Sequence, residues 1–266
     1  MGRERWKWVV GSAIAVLALA GVVGLQALQL RQVQVGGEDA QQAVDQEALQ
    51  LKLLARSPSF GFDNVLADWV FLNFLEYYGD DPARRQTGYG LSPAYFEAVT
   101  RFDPRFVDVY PFLSGSISYE LGQPDLAIAL MRRGTQALSP AIDPKAFQVW
   151  RFMSLDQLLL LGDSRGAAQS MEAAADWVRG TPYVQFREQF LQTAQFLRRD
   201  PNSKPIRVSA WAEIYQRAQA VGDRKTQARA KREVLALGGK LEEKDGQLRV
   251  TMPAAPPRSP TPKPTP

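Results

Sequence analysis

The chain has 266 residues, of which 45% are hydrophobic, 23% charged and 10% aromatic, with a formal net charge of +4. Such a composition is globular and supplies enough apolar side chain for a buried core, which excludes disorder throughout. The absence of cysteine and histidine removes disulfides, zinc sites built on those ligands, thiolate or Ser-His nucleophiles and imidazole pH switches.

Residues 1–7 place Arg3, Arg5 and Lys7 against a single acid, Glu4, and are followed by 23 uncharged residues from Trp8 to Leu30. A helix rising about 1.5 Å per residue over that length matches a hydrocarbon core about 30 Å thick. Residues 8–30 are therefore expected to cross a membrane. The basic flank keeps the N-terminus cytoplasmic and exports the bulk of the chain, to a thylakoid lumen or periplasm. Cleavage after Ala18-Leu19-Ala20 is the alternative, but the apolar run continues through Val22, Val23 and Leu25, which favours an uncleaved anchor.

Residues 31–50, rich in Gln, Ala, Gly and acids, read as a polar stalk or the start of a helix. Over 51–238 the apolar residues recur at helical spacing, and Gly or Pro punctuates the pattern at intervals of a few helical turns. The fold class is all-α. In 239–252, Leu241, Leu248 and Val250 flank Lys244-Asp245-Gly246, which reads as a small β-hairpin. The tail, 253–266, holds seven prolines in fourteen residues and is expected to be solvated and unable to join a core.

An internal repeat organises the body. At an offset of 40 residues Asp103-Pro104 matches Asp143-Pro144, Val109 matches Val149, Leu121-Gly122 matches Leu161-Gly162, Ala127 matches Ala167 and Met131 matches Met171. Asp-Pro is read as an N-cap with proline in the first helical position, and Leu-Gly as a helix end closed by a left-handed glycine. The alanine then allows close approach of a second helix. Each unit is thus expected to be a helical hairpin. Looser copies are read in Trp211 to Leu237, around Val221-Gly222-Asp223, and in Phe62 to Phe102, around Gly79-Asp80-Asp81. Tyr183 to Arg199 reads as one extra helix. About four hairpins should stack into a small solenoid.

This punctuation resembles the tetratricopeptide repeat, although the unit is 40 residues here against about 34 in that family. Pro111 and Ser114 also replace positions expected to be apolar. The stretches FGFDNVLADWVFLNFLEYYGDD (Phe60 to Asp81), QTGYGLSPAYFEAV (Gln86 to Val99) and DPRFVDVYPFLS (Asp103 to Ser114) are similar to a group of single-span, repeat-containing cyanobacterial membrane proteins. The resemblance implies a membrane-tethered α-solenoid in an oxygenic phototroph. For a tetratricopeptide-like stack it also implies a protein-binding groove lined by the first helix of each hairpin, here by Phe112, Ser116, Tyr119, Phe152, Asp156 and Leu159.

Searching for chemistry gives little. Asp68, Asn73 and Glu76 fall within about 140° of a helical wheel, which reads as one polar stripe on an otherwise buried helix. The sharper alternative is that Asp68 and Glu76 form an acid/base pair with Asp80-Asp81 as metal ligands. Arg84-Arg85 before Gln86-Thr87-Gly88-Tyr89-Gly90 reads as a basic surface loop without the spacing of a P-loop. Charge is segregated: residues 38–125 carry net −8 and residues 198–232 net +7. Arg224, Lys225, Arg229, Lys231 and Arg232 form the candidate basic patch, open to anionic lipid, an acidic partner or the acidic half of a second copy.

The expected function is that of a membrane-anchored protein-binding scaffold, not an enzyme, with no cofactor, metal or nucleic acid. Its partners are expected to be subunits of a membrane complex whose assembly or maintenance it aids, a photosynthetic complex by extrapolation. The alternatives are a structural accessory subunit and an envelope enzyme or lipid-handling protein using buried carboxylates.

Overall fold

The computed structural model describes residues 38–199, 204–244 and 247–253. The expected transmembrane helix, the Pro-rich tail beyond Pro253 and the Asp245-Gly246 turn lie outside the described residues. The chain divides into two compact units, Met1–Ala43 and Val44–Pro266. Of the first, only Glu38–Ala43 is described, as the opening turns of a helix; the core and the surfaces all belong to the second. Of the described residues 74% are helical, with 11 α-helices, and one small sheet accompanies them.

In chain order the helices begin with α1 (Glu38–Leu54), α2 (Asp63–Gly79), α3 (Asp81–Thr87) and α4 (Ser92–Phe102). The repeat region contains α5 (Tyr110–Leu113), α6 (Pro124–Ala137), α7 (Phe147–Asp156) and α8 (Ser164–Trp177). Then come α9 (Arg187–Arg199), α10 (Lys204–Ala220), α11 (Arg224–Ala236) and the strands β1 (Lys240–Lys244) and β2 (Gln247–Thr251). The strands pair antiparallel with Leu241 opposite Val250, and both side chains pack against the cluster around Trp211 and Val234. Among the described residues, no helix is long and apolar enough to cross a membrane.

The repeat is visible in the hydrogen bonding. Asp103 and Asp143 each accept a bond from the backbone N–H two residues on, at Arg105 (2.8 Å) and Lys145 (2.7 Å). These are Asx turns, not the N-caps expected from sequence, and the helical residues start later, at Val107 and Phe147. The carboxylate satisfies the turn before the chain has entered a helix. At the other end, the Ile117 carbonyl accepts from Gln123 N–H and the Gln157 carbonyl from Asp163 N–H, again offset by 40 residues. Both first helices finish in wide i→i+5 turns, over Ser114–Tyr119 and Gln157–Leu161. Gly122, Gly162 and Gly222 then reverse the chain with φ of 60°, 70° and 70°, a conformation that costs a residue with a Cβ about 1 kcal/mol or more. Asp163 and Asp223 cap the following helices by accepting from Gly166 and Thr226 N–H.

Helix pairs α2/α4, α5/α6 and α7/α8 pack in series, and α9 lies against α8. Ala127 and Ala167 are fully buried at the close contacts. In α6, a Cβ at Gly134 would sit 2.4 Å from Cζ of Tyr110, a buried ring whose hydroxyl donates to the Pro104 carbonyl at 2.7 Å. Gly134→Ala is therefore expected to lower unfolding free energy by about 1–3 kcal/mol through overpacking, although alanine is the better helix former. Urea unfolding checks this; an unchanged midpoint would contradict it.

The last hairpin does not continue the series. Helices α10 and α11 turn back onto the ends of the first helices of both repeats: Trp211 Nε1 donates to the Leu160 carbonyl at 3.1 Å, and Thr226 Oγ1 donates to the Leu121 carbonyl at 3.2 Å. Arg217 reaches Glu120 at 2.6 Å. Burial of Trp211, Ile214, Val208 and Val234 with Leu160 holds this return in place.

Candidate functional site

The fold-back decides the fate of the groove expected from sequence. Tyr119 and Leu159 are packed against the cluster that includes Trp211 and Ile214. Phe112 packs edge-on to Phe71, with ring centroids 5.3 Å apart; Phe152 is partly buried against the same core. Ser116 is 0% exposed and spends its hydroxyl on the Phe112 carbonyl. Asp156 is 1% exposed. The chain's own last hairpin thus covers Tyr119 and Leu159, Ser116 and Asp156 are buried, and Phe112 and Phe152 are partly exposed beside the first core cluster.

Asp156 is nevertheless the most unusual carboxylate among the described residues. Ser114 and Ser118, one turn apart at the end of the first repeat's leading helix, donate to its two oxygens at 2.6 and 2.5 Å. Burial drives its pKa up to about 6 against the pull of the two hydroxyls. Burial also raises Tyr119 to about 12, with Asp156 adding to the rise. With both oxygens engaged across two repeats, this carboxylate is a buried structural link. The acid/base alternative fares no better: Asp68 and Glu76 are exposed, and no cluster of three or more candidate metal ligands occurs among the described residues.

The basic stretch is helical as far as Thr87 and turns at residues 88–90. Arg84 and Arg85 lie in α3, and Arg84 is turned inward, 5% exposed, with its guanidinium 3.8 Å from the centroid of Tyr77. Its Nη1 donates to the Gly88 carbonyl at 3.0 Å. Stacking on the tyrosine face fixes the cation against the core.

A run of exposed apolar side chains lies on α2, and it is the reverse of the expectation. Phe62, just before the helix, and Val65, Trp69 and Leu72 along one face of it are 65%, 62%, 51% and 64% exposed. Val70, Phe71, Phe74 and Tyr77 form the buried face. Asp68, Asn73 and Glu76 border an apolar stripe instead of forming a polar one, and Asn73 Nδ2 turns back to the Trp69 carbonyl at 2.7 Å. Alongside runs a cleft of about 310 Å³ between α1 and α2, lined by Leu51, Leu53, Leu54, Trp69, Val70 and Tyr95. At its edge Tyr95 donates to Glu47, and Leu49 and Leu53 add exposed apolar surface. The stretch read as a stalk or the start of a helix is helical from Glu38 and contributes here, with Val44 and Ala48 packed against the core beside buried Leu51.

Exposed contiguous apolar surface of this kind is uncommon unless something binds it. The clue in the sequence is a helix apolar on every side, which means either full burial or burial on one side and a partner on the other. On α11, Arg224, Lys225, Lys231 and Arg232 are exposed, while Arg229 is half-buried, 3.2 Å from Asp125 and 5.7 Å from the Trp211 centroid. Four of the five residues of the basic patch therefore face solvent. Comparison with protein-family models, curated proteins and solved structures finds no match to this chain.

Proposed function

We propose that the chain is a membrane-anchored, protein-binding scaffold whose exported helical repeats form a tetratricopeptide-like α-solenoid, and that it binds through the α2 stripe and the adjoining cleft. The observation that carries this reading is the exposure of Trp69 with Val65 and Leu72 beside a preformed cleft. Trp at the centre of an apolar stripe with a polar border has the composition of a protein-binding hot spot. The 23-residue uncharged run from Trp8 to Leu30 supports a bilayer tether. On this reading the tether keeps the binding face near membrane-complex subunits, whose assembly or maintenance the protein aids. A photosynthetic complex in a cyanobacterial thylakoid is the extrapolation from the sequence resemblance.

Trp69→Glu is expected to weaken partner binding by about 30-fold or more, the scale of a lost hot spot, while leaving the fold intact because the side chain is half exposed. A photo-crosslinking residue at Leu72 in native membranes should give a discrete adduct that disappears in the Trp69→Glu chain, and a probe at exposed Arg105 should give none. An adduct that survives Trp69→Glu overturns the reading. An adduct recovered in fixed stoichiometry through purification would mark a structural accessory subunit instead of a transient assembly factor.

A further inference from the structure

The stripe on α2 and the basic face of α11 complement each other in register. On α2 the side chains facing solvent, Val65, Asp68, Trp69, Leu72 and Glu76, include two acids that make no ion pair among the described residues. The exposed side chains of α11 include Arg224, Ala228, Lys231, Arg232 and Leu235, and its cations there are likewise unpaired among the described residues. The acids lie about 12 Å apart along their helix and Arg224 and Arg232 the same distance along theirs, because both pairs are separated by two turns. Laid antiparallel with Leu72 opposite Ala228, Val65 falls level with Leu235, Asp68 lies between Lys231 and Arg232, Trp69 shares its flank with Arg232, and Glu76 lies between Arg224 and Lys225. All five juxtapositions belong to one register, and each is favourable: two acids each between two cations, two apolar contacts and a cation on the flank of an indole.

We propose that the α2 stripe of one chain docks on the basic face of α11 of a second copy. The two faces are both solvent-exposed within a single chain, so the contact joins separate molecules. Because it uses two different faces, it is heterologous and propagates as a row of copies, unlike a closed two-fold dimer. A lipid surface would engage the cations of α11 and leave the apolar stripe of α2 unused; a second copy satisfies both. This inference rests on the reading of α2 as the binding face and names its occupant.

The absence of native cysteine makes the register directly testable. The full chain carrying Leu72→Cys and Ala228→Cys, oxidised in native membranes, is expected to give a ladder of disulfide-linked multimers. Leu72→Cys with Leu235→Cys places cysteines on the same two faces but two turns out of register, and should give at least about tenfold less. Asp68→Arg with Glu76→Arg should reduce the first ladder about tenfold or more, and adding Arg224→Glu with Arg232→Glu to the same chain should restore it. Circular dichroism of each variant controls for folding, and loss of the unsubstituted-charge ladder at high salt is a second expected result. The proposal is overturned if no ladder forms, if both cysteine pairs react equally, or if the fourfold charge exchange fails to restore the ladder. Absence of the ladder with retention of the Leu72 photo-adduct to another protein defeats this inference but leaves the scaffold reading standing. Loss of both defeats the scaffold reading itself. Release from anionic vesicles caused by Arg224→Glu and Arg232→Glu, with no ladder in the parent, assigns α11 to lipid and also overturns the proposal.

Discussion

Replacing Trp211 with alanine is expected to lower unfolding free energy by about 3–5 kcal/mol, the scale of a large buried aromatic lost from a core that cannot collapse around the void. Trp211 is 1% exposed, and Ile214, Val234 and Leu160 are buried in the same cluster. Its ring also lies against Gly122, where an added Cβ would be 3.5 Å from Cζ3. The indole N–H is bonded to the Leu160 carbonyl, so Trp211→Phe should cost less, about 1–2 kcal/mol, by removing the hydrogen bond while keeping most of the apolar area. Urea unfolding of the full chain in detergent gives both numbers. Because this residue fastens the returning hairpin to both repeats, trypsin should cut Trp211→Ala at Arg217 and Arg224 well before it cuts the parent. A protease pattern identical to the parent would mean that the hairpin is held by something other than this cluster.

That residue also marks what the sequence could and could not reveal. The hairpins are legible because their punctuation is local: Gly122, Gly162 and Gly222 need a left-handed backbone, and each lies just before a residue that opens the next helix. The β-hairpin is legible from the same local chemistry. How the last hairpin packs is not, since Trp211 matches the aromatic of an ordinary repeat and nothing in its spacing says whether it contacts the preceding pair or the turns of both. The groove inferred for Phe112, Ser116, Tyr119, Phe152, Asp156 and Leu159 assumes serial stacking throughout, whereas the returning hairpin covers Tyr119 and Leu159. The stripe on α2 escapes the sequence for a related reason. A helix apolar all round gives no moment to distinguish its buried side, and its three polar residues border the exposed face without defining it. Arg84 is hidden because a cation stacked on Tyr77 has the same one-letter appearance as a solvated one.

Asp156 carries the second large effect, and its sign runs opposite to that of most carboxylates. Burial raises its folded-state pKa to about 6 from the ordinary 3.8, so between those values the folded chain holds a proton that the unfolded chain has lost. The stability that this group contributes is therefore highest at or below about pH 4, falls as pH rises through that window by about 3 kcal/mol, and is level above it. Glu172 acts in the other direction: its hydrogen bond from Arg198 depresses its pKa below the usual range, and its contribution is lost as pH falls through that lowered value. The two effects are separated by comparing the parent with Asp156→Asn, which cannot ionise yet keeps an oxygen for one serine hydroxyl and an amide for the other. The difference in unfolding free energy between the two chains should slope between pH 4 and pH 6.5 and flatten beyond. Asp156→Ala leaves the Ser114 and Ser118 hydroxyls without their shared acceptor and should cost about 1–3 kcal/mol at pH 4, where the parent carboxyl is neutral. Parallel pH curves for the parent and Asp156→Asn would mean that solvent reaches this carboxylate, and that the contact between the two repeats is looser than the bonds from Ser114 and Ser118 imply.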